Sequence, residues 1–146
     1  MAANDSQLRI VLIDDNLDHA RILQWAFRKS GRADQFTCFE DGHTALEYLS
    51  ASHSHSGDAP DVIFLDFNLP RIDGREVLRR LKEGELTRSI PVIVLSSSER
   101  DEDIRRAYEL GASSYFSKSV IFDDLNSVLQ TIQQFWSHQT TKPLRK

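Results

Sequence analysis

Short apolar segments of strand length alternate along this chain with segments in which apolar residues recur at helical spacing. Five such pairs fit into 146 residues, a length that predicts one domain spanning residues 1–146. Alternation of this kind is typical of a parallel sheet, because neighbouring parallel strands need helical crossovers. We therefore predict an α/β fold in which helices flank both faces of a five-stranded parallel sheet.

The third and fourth predicted strands are nearly all apolar, as strands covered on both faces require. The predicted strands are 9–13, 35–39, 62–65, 92–95 and 114–116. The predicted helices are 17–30, 44–49, one that follows Gly74, 101–110 and one from residue 123 onward, with polar tails at 1–7 and 138–146. The third helix should turn Val77, Leu78 and Leu81 toward the sheet.

Composition argues against several classes of partner. The formal net charge of −4 disfavours non-specific binding to DNA or to anionic lipid. The polar N-terminus lacks a secretory signal, and no apolar run is long enough to span a bilayer. We therefore expect a cytoplasmic protein without a nucleic-acid or membrane partner. Cys38 lies in an apolar segment and is predicted to be a small buried thiol without a redox role.

Polar side chains suited to one chemistry follow four of the predicted strands. Asp14 and Asp15 follow the first strand, Asp66 the third, Ser96 the fourth and Lys118 the fifth. In open parallel sheets, ligands bind at the carboxyl ends of the strands. If the first and third strands are neighbours, as in the flavodoxin-like order 2-1-3-4-5, the three carboxylates lie close together.

Carboxylates crowded in this way raise one another's pKa values unless a hard cation offsets their charge. Mg²⁺ suits such a site, with Asp15 and Asp66 as direct ligands. A carboxylate is also a nucleophile toward phosphorus, so Asp66 is the predicted phosphoacceptor and Lys118 the cation that neutralises the phosphoryl oxygens. Ser96 could hydrogen-bond a phosphate oxygen, and Tyr115 is a second candidate to move with it.

Each of these residues also has an ordinary structural explanation. An Asp after a strand commonly caps a helix, and Asp14, Asp15 and Asn16 directly precede the first predicted helix. Ser96 begins a loop of three serines, and Tyr115 fits a half-buried edge strand. The joint occurrence of matched groups on four strand ends favours the phosphoacceptor interpretation.

The chain resembles the receiver domain of two-component response regulators over nearly its whole length. The resemblance rests on residues 11–16 (VLIDDN) and 64–74 (FLDFNLPRIDG). At the matching positions it implies a Mg²⁺ site, a phosphoacceptor, a phosphate-pairing lysine and two switch residues. The resemblance assigns the metal to Asp14, which acts through water, to Asp15 and to the backbone carbonyl of Asn68. It makes Asp66 the phosphoacceptor and Lys118 the phosphate-pairing lysine. Ser96 and Tyr115 match the two switch positions.

A narrower resemblance, to the small regulators paired with bacterial phytochromes, rests on residues 73–78 (DGREVL), on the serines after the fourth strand and on Lys118-Ser119. It implies a sensor histidine kinase as phosphoryl donor, with a bacterial phytochrome as the candidate, and no output domain in cis. The commoner receiver pattern has a proline where Ser119 stands. Because a cis bond before a non-proline residue costs about 3 kcal/mol, we expect a trans peptide there.

Phe135 and Trp136 lie in the last predicted helix. Neighbours in sequence cannot both face one narrow apolar stripe, so one ring is expected to be exposed. An exposed large aromatic favours an interface, and we predict a homodimer through the fourth helix, fifth strand and fifth helix. Packing at the end of the core is the alternative.

Other functions could use the same acidic site. A metal-dependent phosphatase with Asp66 as transient nucleophile would need an acid two residues later, where Asn68 cannot serve. A scaffold that never receives phosphate would gain no phosphoryl mass from acetyl phosphate. A flavin site is disfavoured, because a phosphate-cradling loop offers N–H groups and the loop after the first strand offers carboxylates.

Overall fold

Strands and helices alternate throughout the part of the chain that the computed structural model describes, which comprises residues 9–29, 35–51, 59–119 and 130. The elements in chain order are β1 (Arg9–Ile13), α1 (Leu17–Lys29), β2 (Gln35–Phe39), α2 (Gly42–Ser50), β3 (Val62–Asp66), α3 (Gly74–Glu83), β4 (Val92–Ser96), α4 (Asp101–Glu109) and β5 (Ser114–Ser117). Within these ranges no helix combines the length and apolarity needed to cross a bilayer.

The five strands form one parallel sheet in the order β2-β1-β3-β4-β5, which confirms the predicted fold class and strand order. Three strands continue one residue beyond the predicted bounds, to Asp66, Ser96 and Ser117. The polar residue at each of these ends is therefore the last residue of the strand itself. Ladder hydrogen bonds fix its backbone position.

Helices cover both faces of the sheet, as predicted. On one face, α1 packs Leu23 and Phe27 against apolar residues of β1, β3 and β4. On the other, α2, α3 and α4 pack against the alternate residues of the same strands. Val77, Leu78 and Leu81 of α3 are fully buried, as expected, and each such side chain contributes about 1.5–3 kcal/mol through burial.

Cys38 is exposed, so the prediction of a buried thiol was wrong. It lies on β2, an edge strand that pairs only with β1 and has no fully buried residue. The prediction rested on the apolar run alone, although the predicted order 2-1-3-4-5 already placed this strand at the edge of the sheet. The side-chain amide of Gln24 donates a hydrogen bond to the Cys38 sulfur at 3.2 Å.

Several predictions concern residues outside the described part of the chain. The helix from residue 123 onward is one of them, together with Phe135, Trp136 and the two polar tails. The predicted last residue of the first helix, Ser30, is another. The peptide bond between Lys118 and Ser119 lies within the described residues and is trans, as expected.

Gly74, the first residue of α3, lies against the backbone at the end of β3. A Cβ atom there would be 2.3 Å from the Asp66 carbonyl oxygen and 2.5 Å from the Phe67 Cα atom. The Gly74 N–H donates to the Phe67 carbonyl at 3.1 Å, which keeps the two backbones in contact. Only glycine fits this approach without displacing β3 or α3.

We expect Gly74→Ala to lower the free energy of unfolding by about 1–3 kcal/mol, because the clash is with backbone that cannot rotate away. Urea denaturation measures this loss. At the other end of α3, a Cβ on Gly84 would meet chiefly the Thr87 hydroxyl, a side-chain atom, so Gly84→Ala should cost less. Unchanged stability of Gly74→Ala would contradict this account of the close approach.

Candidate functional site

Three carboxylates meet at the carboxyl ends of β1 and β3, which are neighbours in the sheet. One oxygen each from Asp14, Asp15 and Asp66 lies within 4.8 Å of the others. Asp14 and Asp66 are almost fully buried, whereas Asp15 is exposed. The structure thus brings together the acidic residues that the sequence pattern predicted to converge.

Short turns fix the two buried carboxylates. Asp14 Oδ1 accepts a hydrogen bond from the Asn16 N–H at 2.9 Å, and Asp66 Oδ1 accepts one from the Asn68 N–H at 2.9 Å. Both are bonds to the residue two positions later, the usual preference of Asp at a turn. In each case the second carboxylate oxygen is left to face the cluster.

Asn16 caps α1. Its Oδ1 accepts hydrogen bonds from the backbone N–H groups of Asp18 at 3.0 Å and His19 at 3.2 Å. These are two of the N–H groups that a helix start leaves without a helical partner. Helix capping therefore accounts for Asn16, and it does not account for the two acidic residues before it.

Lys118, which follows β5, reaches across the sheet edge into the acidic cluster. Its Nζ donates to Asp66 Oδ2 at 2.9 Å and lies 3.2 Å from Asp14 Oδ2. It also lies 3.1 Å from Nδ1 of His19, and its side chain is only 12% exposed. Lys118 thus contacts Asp14, which lies 104 positions earlier in the sequence.

Burial and the charges in the cluster set its protonation states. Burial raises the pKa of Asp14 to about 6, and the charge of Asp66 adds to this, while the Asn16 N–H and Lys118 oppose it. Burial lowers the pKa of Lys118, but the hydrogen bond and charge of Asp66, with those of Asp14, outweigh burial and leave that pKa raised. Burial, followed by the charge of Lys118, lowers the pKa of His19, so its ring is neutral at pH 7.

The cluster fits a hard divalent cation. Asp14 Oδ2 is buried and accepts no hydrogen bond. Lys118 Nζ lies 3.2 Å from it and forms an ion pair, but its geometry is not that of a hydrogen bond. A buried carboxylate oxygen without a hydrogen bond is costly, and one ammonium cannot neutralise three carboxylates, so a dication would offset the remaining negative charge. Mg²⁺ and similar ions prefer such an all-oxygen donor set.

The two predicted switch residues bond to the same loop residue. Ser96 is buried, and its Oγ accepts a hydrogen bond from the Ser98 N–H at 3.1 Å. The Tyr115 hydroxyl donates to the Ser98 carbonyl at 2.8 Å. The Tyr115 ring meets the Phe67 ring edge-to-face, with centroids 6.2 Å apart. Phe67 directly follows Asp66, so the Tyr115 ring contacts the residue next to the predicted phosphoacceptor.

Three residues of this region were not predicted from the sequence. His19 contacts Lys118, and Ser98 and Asp103 bond to each other beside Tyr115. His19 lies in the first turn after the acidic pair, a position that signals nearness to the site. Nothing in the sequence distinguishes Ser98 from its serine neighbours, or Asp103 from the other acids at the start of α4.

A family model for the response regulator receiver domain matches residues 10–130, most of the chain. Together with the sheet order and the acidic cluster, this match places the chain in the response regulator receiver family. The finding confirms the family that the sequence resembled.

Relatives of known description agree with this family. The chain is 38% identical over 127 residues to the probable methanogenesis regulatory protein FilR2 of Methanothrix harundinacea, covering 87% of this chain and 82% of that protein. It is 33% identical over 135 residues to response regulator Rcp1 of Synechocystis sp., covering 92% of each.

Solved structures show the same fold. The phosphorylated cyanobacterial phytochrome response regulator RcpA is 35% identical, with a TM-score of 0.77 over 89% of this chain and 94% of that chain. The Mn(2+)-bound form of Rcp1 is 34% identical, with a TM-score of 0.75 over 88% and 94% of the two chains. RcpA, which is described as a phytochrome response regulator, is thus similar over most of its own length.

The raised pKa of Asp14 makes a prediction for the metal-free protein. Between pH about 4 and about 6, the folded protein holds the Asp14 proton more tightly than the unfolded chain does. Its contribution to stability is present below pH 4 and is lost as the pH rises through 6. In a chelator, Asp14→Asn should therefore be more stable than wild type at pH 7 by about 2 kcal/mol, with the gap closing toward pH 4.

Chemical denaturation between pH 4 and pH 7 measures the gap, and Asp41→Asn serves as a control whose stability difference from wild type should stay constant over that range. The Thr44 N–H bond lowers the pKa of Asp41, so its contribution is present above pH 4 and is lost as the pH falls. A pH-independent difference between wild type and Asp14→Asn would contradict the assigned burial effect.

Proposed function

We propose that Asp66 accepts a phosphoryl group from the phosphohistidine of a sensor histidine kinase, and that residues 1–146 form a single receiver domain that acts as a phosphorelay messenger. The observation that carries this proposal is the pairing of Asp66 Oδ2 with Lys118 Nζ at 2.9 Å inside the acidic cluster. A nucleophilic carboxylate beside a cation is the arrangement that phosphoryl transfer needs.

The transfer exchanges one bond to phosphorus for another. An Asp66 carboxylate oxygen forms the new P–O bond while the P–N bond to the kinase imidazole breaks, and the bonding electron pair leaves with that nitrogen. Lys118 now bonds to an Asp66 oxygen, and on arrival of the phosphoryl group it would bond to a phosphoryl oxygen instead. Its raised pKa keeps the ammonium charged for this role.

The metal in this proposal is Mg²⁺. Asp14 acting through water, Asp15 and Asp66 directly, and the Asn68 backbone carbonyl would hold it. When bound, the ion supplies neutralisation of the charge on the phosphoryl oxygens. The buried Asp14 oxygen that accepts no hydrogen bond supports a cation here, as does the existence of a Mn(2+)-bound form of Rcp1.

Ser96 and Tyr115 are the proposed readout. The Ser96 Oγ accepts the Ser98 N–H, which leaves its own hydroxyl proton for a phosphoryl oxygen. Because Tyr115 holds the carbonyl of the same Ser98, a shift of Ser96 toward Asp66 would disturb the tyrosine as well. A local charge change would thereby reach the surface of α4 and β5.

The similarity to RcpA, described as a cyanobacterial phytochrome response regulator, supports a bacterial phytochrome kinase as the donor, and the proposed location is the cytoplasm. The rival function, a metal-dependent phosphatase, has no general acid at Asn68. The side-chain amide of Asn68 bonds to the Ser97 hydroxyl at 3.3 Å, and an amide cannot protonate a leaving group. Slow loss of the phosphoryl group from Asp66 is the only turnover that we propose.

Asp66→Asn should abolish labelling by acetyl phosphate or by a phosphorylated kinase in the presence of Mg²⁺, because an amide cannot form the acyl phosphate. Mass spectrometry of the intact protein detects the added phosphoryl mass. Lys118→Ala should accept phosphate at least about tenfold more slowly, in line with the loss of one charged transition-state partner.

Glu47→Gln is the matched control, since it removes one negative charge on the exposed surface of α2. It should accept phosphate at the wild-type rate. Undiminished labelling of Asp66→Asn would show that the acceptor lies elsewhere and would remove the proposed function.

The proposed homodimer rests on Phe135 and Trp136, which lie outside the described residues. If the predicted exposed ring forms the interface, Trp136→Ala or Phe135→Ala should shift the protein toward monomer. Light scattering at high concentration, with and without beryllofluoride as an acyl-phosphate mimic, measures the association. A wild-type monomer under both conditions would exclude this interface.

A further inference from the structure

Ser98 is the point at which three parts of the molecule meet. Its N–H bonds to Ser96 Oγ, its carbonyl accepts the Tyr115 hydroxyl, and its own hydroxyl donates to Asp103 Oδ2 at 2.5 Å. The first two bonds go to the proposed readout residues. The third goes to the first turn of α4 and has no part in the function proposed so far.

Asp103 is held in turn from α3. The other carboxylate oxygen of Asp103 accepts a hydrogen bond from Arg75 Nη2 at 3.3 Å. The Arg75 guanidinium also bonds to Asp73 and lies 4.7 Å above the centre of the Phe67 ring. Phe67 in turn contacts Tyr115, so these contacts form a closed ring around the proposed readout loop.

This ion pair differs from the others at the start of α4. The side chains of Asp103 and Arg75 are 17% and 34% exposed, whereas those of the nearby pair Arg100 and Glu102 are 72% and 70% exposed. Less exposed pairs are less screened by water and salt, so more of their interaction is retained. The hydrogen bond from Ser98, followed by the Arg75 bond, holds the pKa of Asp103 below its usual range and keeps the carboxylate ionised near neutral pH.

We propose that Asp103, oriented by Arg75, is a positioning residue for phosphorylation: it anchors Ser98 and so holds Ser96 and Tyr115 in the arrangement that receives the phosphoryl group. This inference rests on the proposed function of Asp66. Asp103 itself touches neither the acceptor nor the metal ligands in any of its hydrogen bonds.

The anchor at Ser98 restricts the loop after β4. When Ser98 is anchored, Ser96 Oγ accepts the Ser98 N–H, and the Ser96 hydroxyl proton remains available to donate to a phosphoryl oxygen. Without the anchor the loop samples other conformations, and the apparent affinity for the ligand falls by the fraction of molecules in the competent state. The loss should therefore appear in phosphoryl-analogue binding as well as in the unliganded loop.

The test compares Asp103→Ala with Glu102→Ala, a neighbouring acid in the same helical turn. In the full-length protein without metal or phosphate, NMR of ring-labelled tyrosine should show a shift of the Tyr115 signals in Asp103→Ala only. Tyr108, which lies on α4, should not move with it. If both tyrosines shift together, α4 itself has frayed, and the role of Asp103 is helix stability rather than positioning.

The second measurement is the affinity for beryllofluoride with Mg²⁺. Asp103→Ala should raise the apparent Kd by about fivefold, a coupling of ordinary size, while Glu102→Ala leaves it unchanged. Ser98→Ala should raise the apparent Kd by a similar factor. The Ser98→Ala/Asp103→Ala double variant should have a Kd no higher than that of the weaker-binding single variant, because each substitution removes the same Ser98–Asp103 hydrogen bond. Arg75→Lys, a milder change, should move the Kd in the same direction and guards against a poorly folded Asp103 variant.

Equal tyrosine spectra and equal Kd values for Asp103→Ala and Glu102→Ala would overturn the positioning role. Failure of the wild-type protein to bind beryllofluoride would instead count against the proposed function of Asp66. The metal-free tyrosine spectrum does not depend on phosphate chemistry, so the two failures are distinguishable.

Discussion

The site depends on the contact between the Lys118 ammonium and the two buried carboxylates of Asp14 and Asp66. Two negative groups this close and this little exposed repel each other, and burial alone already raises the pKa of Asp14. The lysine offsets part of that repulsion, yet one buried oxygen of Asp14 still lacks a hydrogen bond. The local arrangement therefore retains unsatisfied negative charge, which is a property of a binding site and not of an ordinary core.

The parallel sheet makes this contact possible. Asp14, Asp66 and Lys118 are far apart in sequence, but each lies at or just after the carboxyl end of a strand. In a parallel sheet these carboxyl ends all lie on the same side. The apolar clusters on the two faces hold the strands in register and account for most of the buried side chains. The apolar core thus fixes the geometry of the polar groups at the strand ends.

This division explains what could be predicted from the sequence. Asp66 and Lys118 were predicted to meet because strand position follows from apolar patterning and strand order from chain topology. Ser98 and Asp103 were not predicted, because their bonds depend on the path of a loop that no periodicity describes. Cys38 was predicted to be buried because it lies in an apolar run, although the predicted strand order already placed its strand at the edge of the sheet. The roles assigned to the individual site residues still rest on the experiments described above.

The absence of a side chain at Gly74 has a mechanical consequence. The first turn of α3 rests directly on the peptide that links Asp66 to Phe67, without any deformable group between them. Because no side chain separates them, a displacement of this peptide would act directly on the first turn of α3. Ser98 and Tyr115, by contrast, are joined by a hydrogen bond, a contact that can break and re-form.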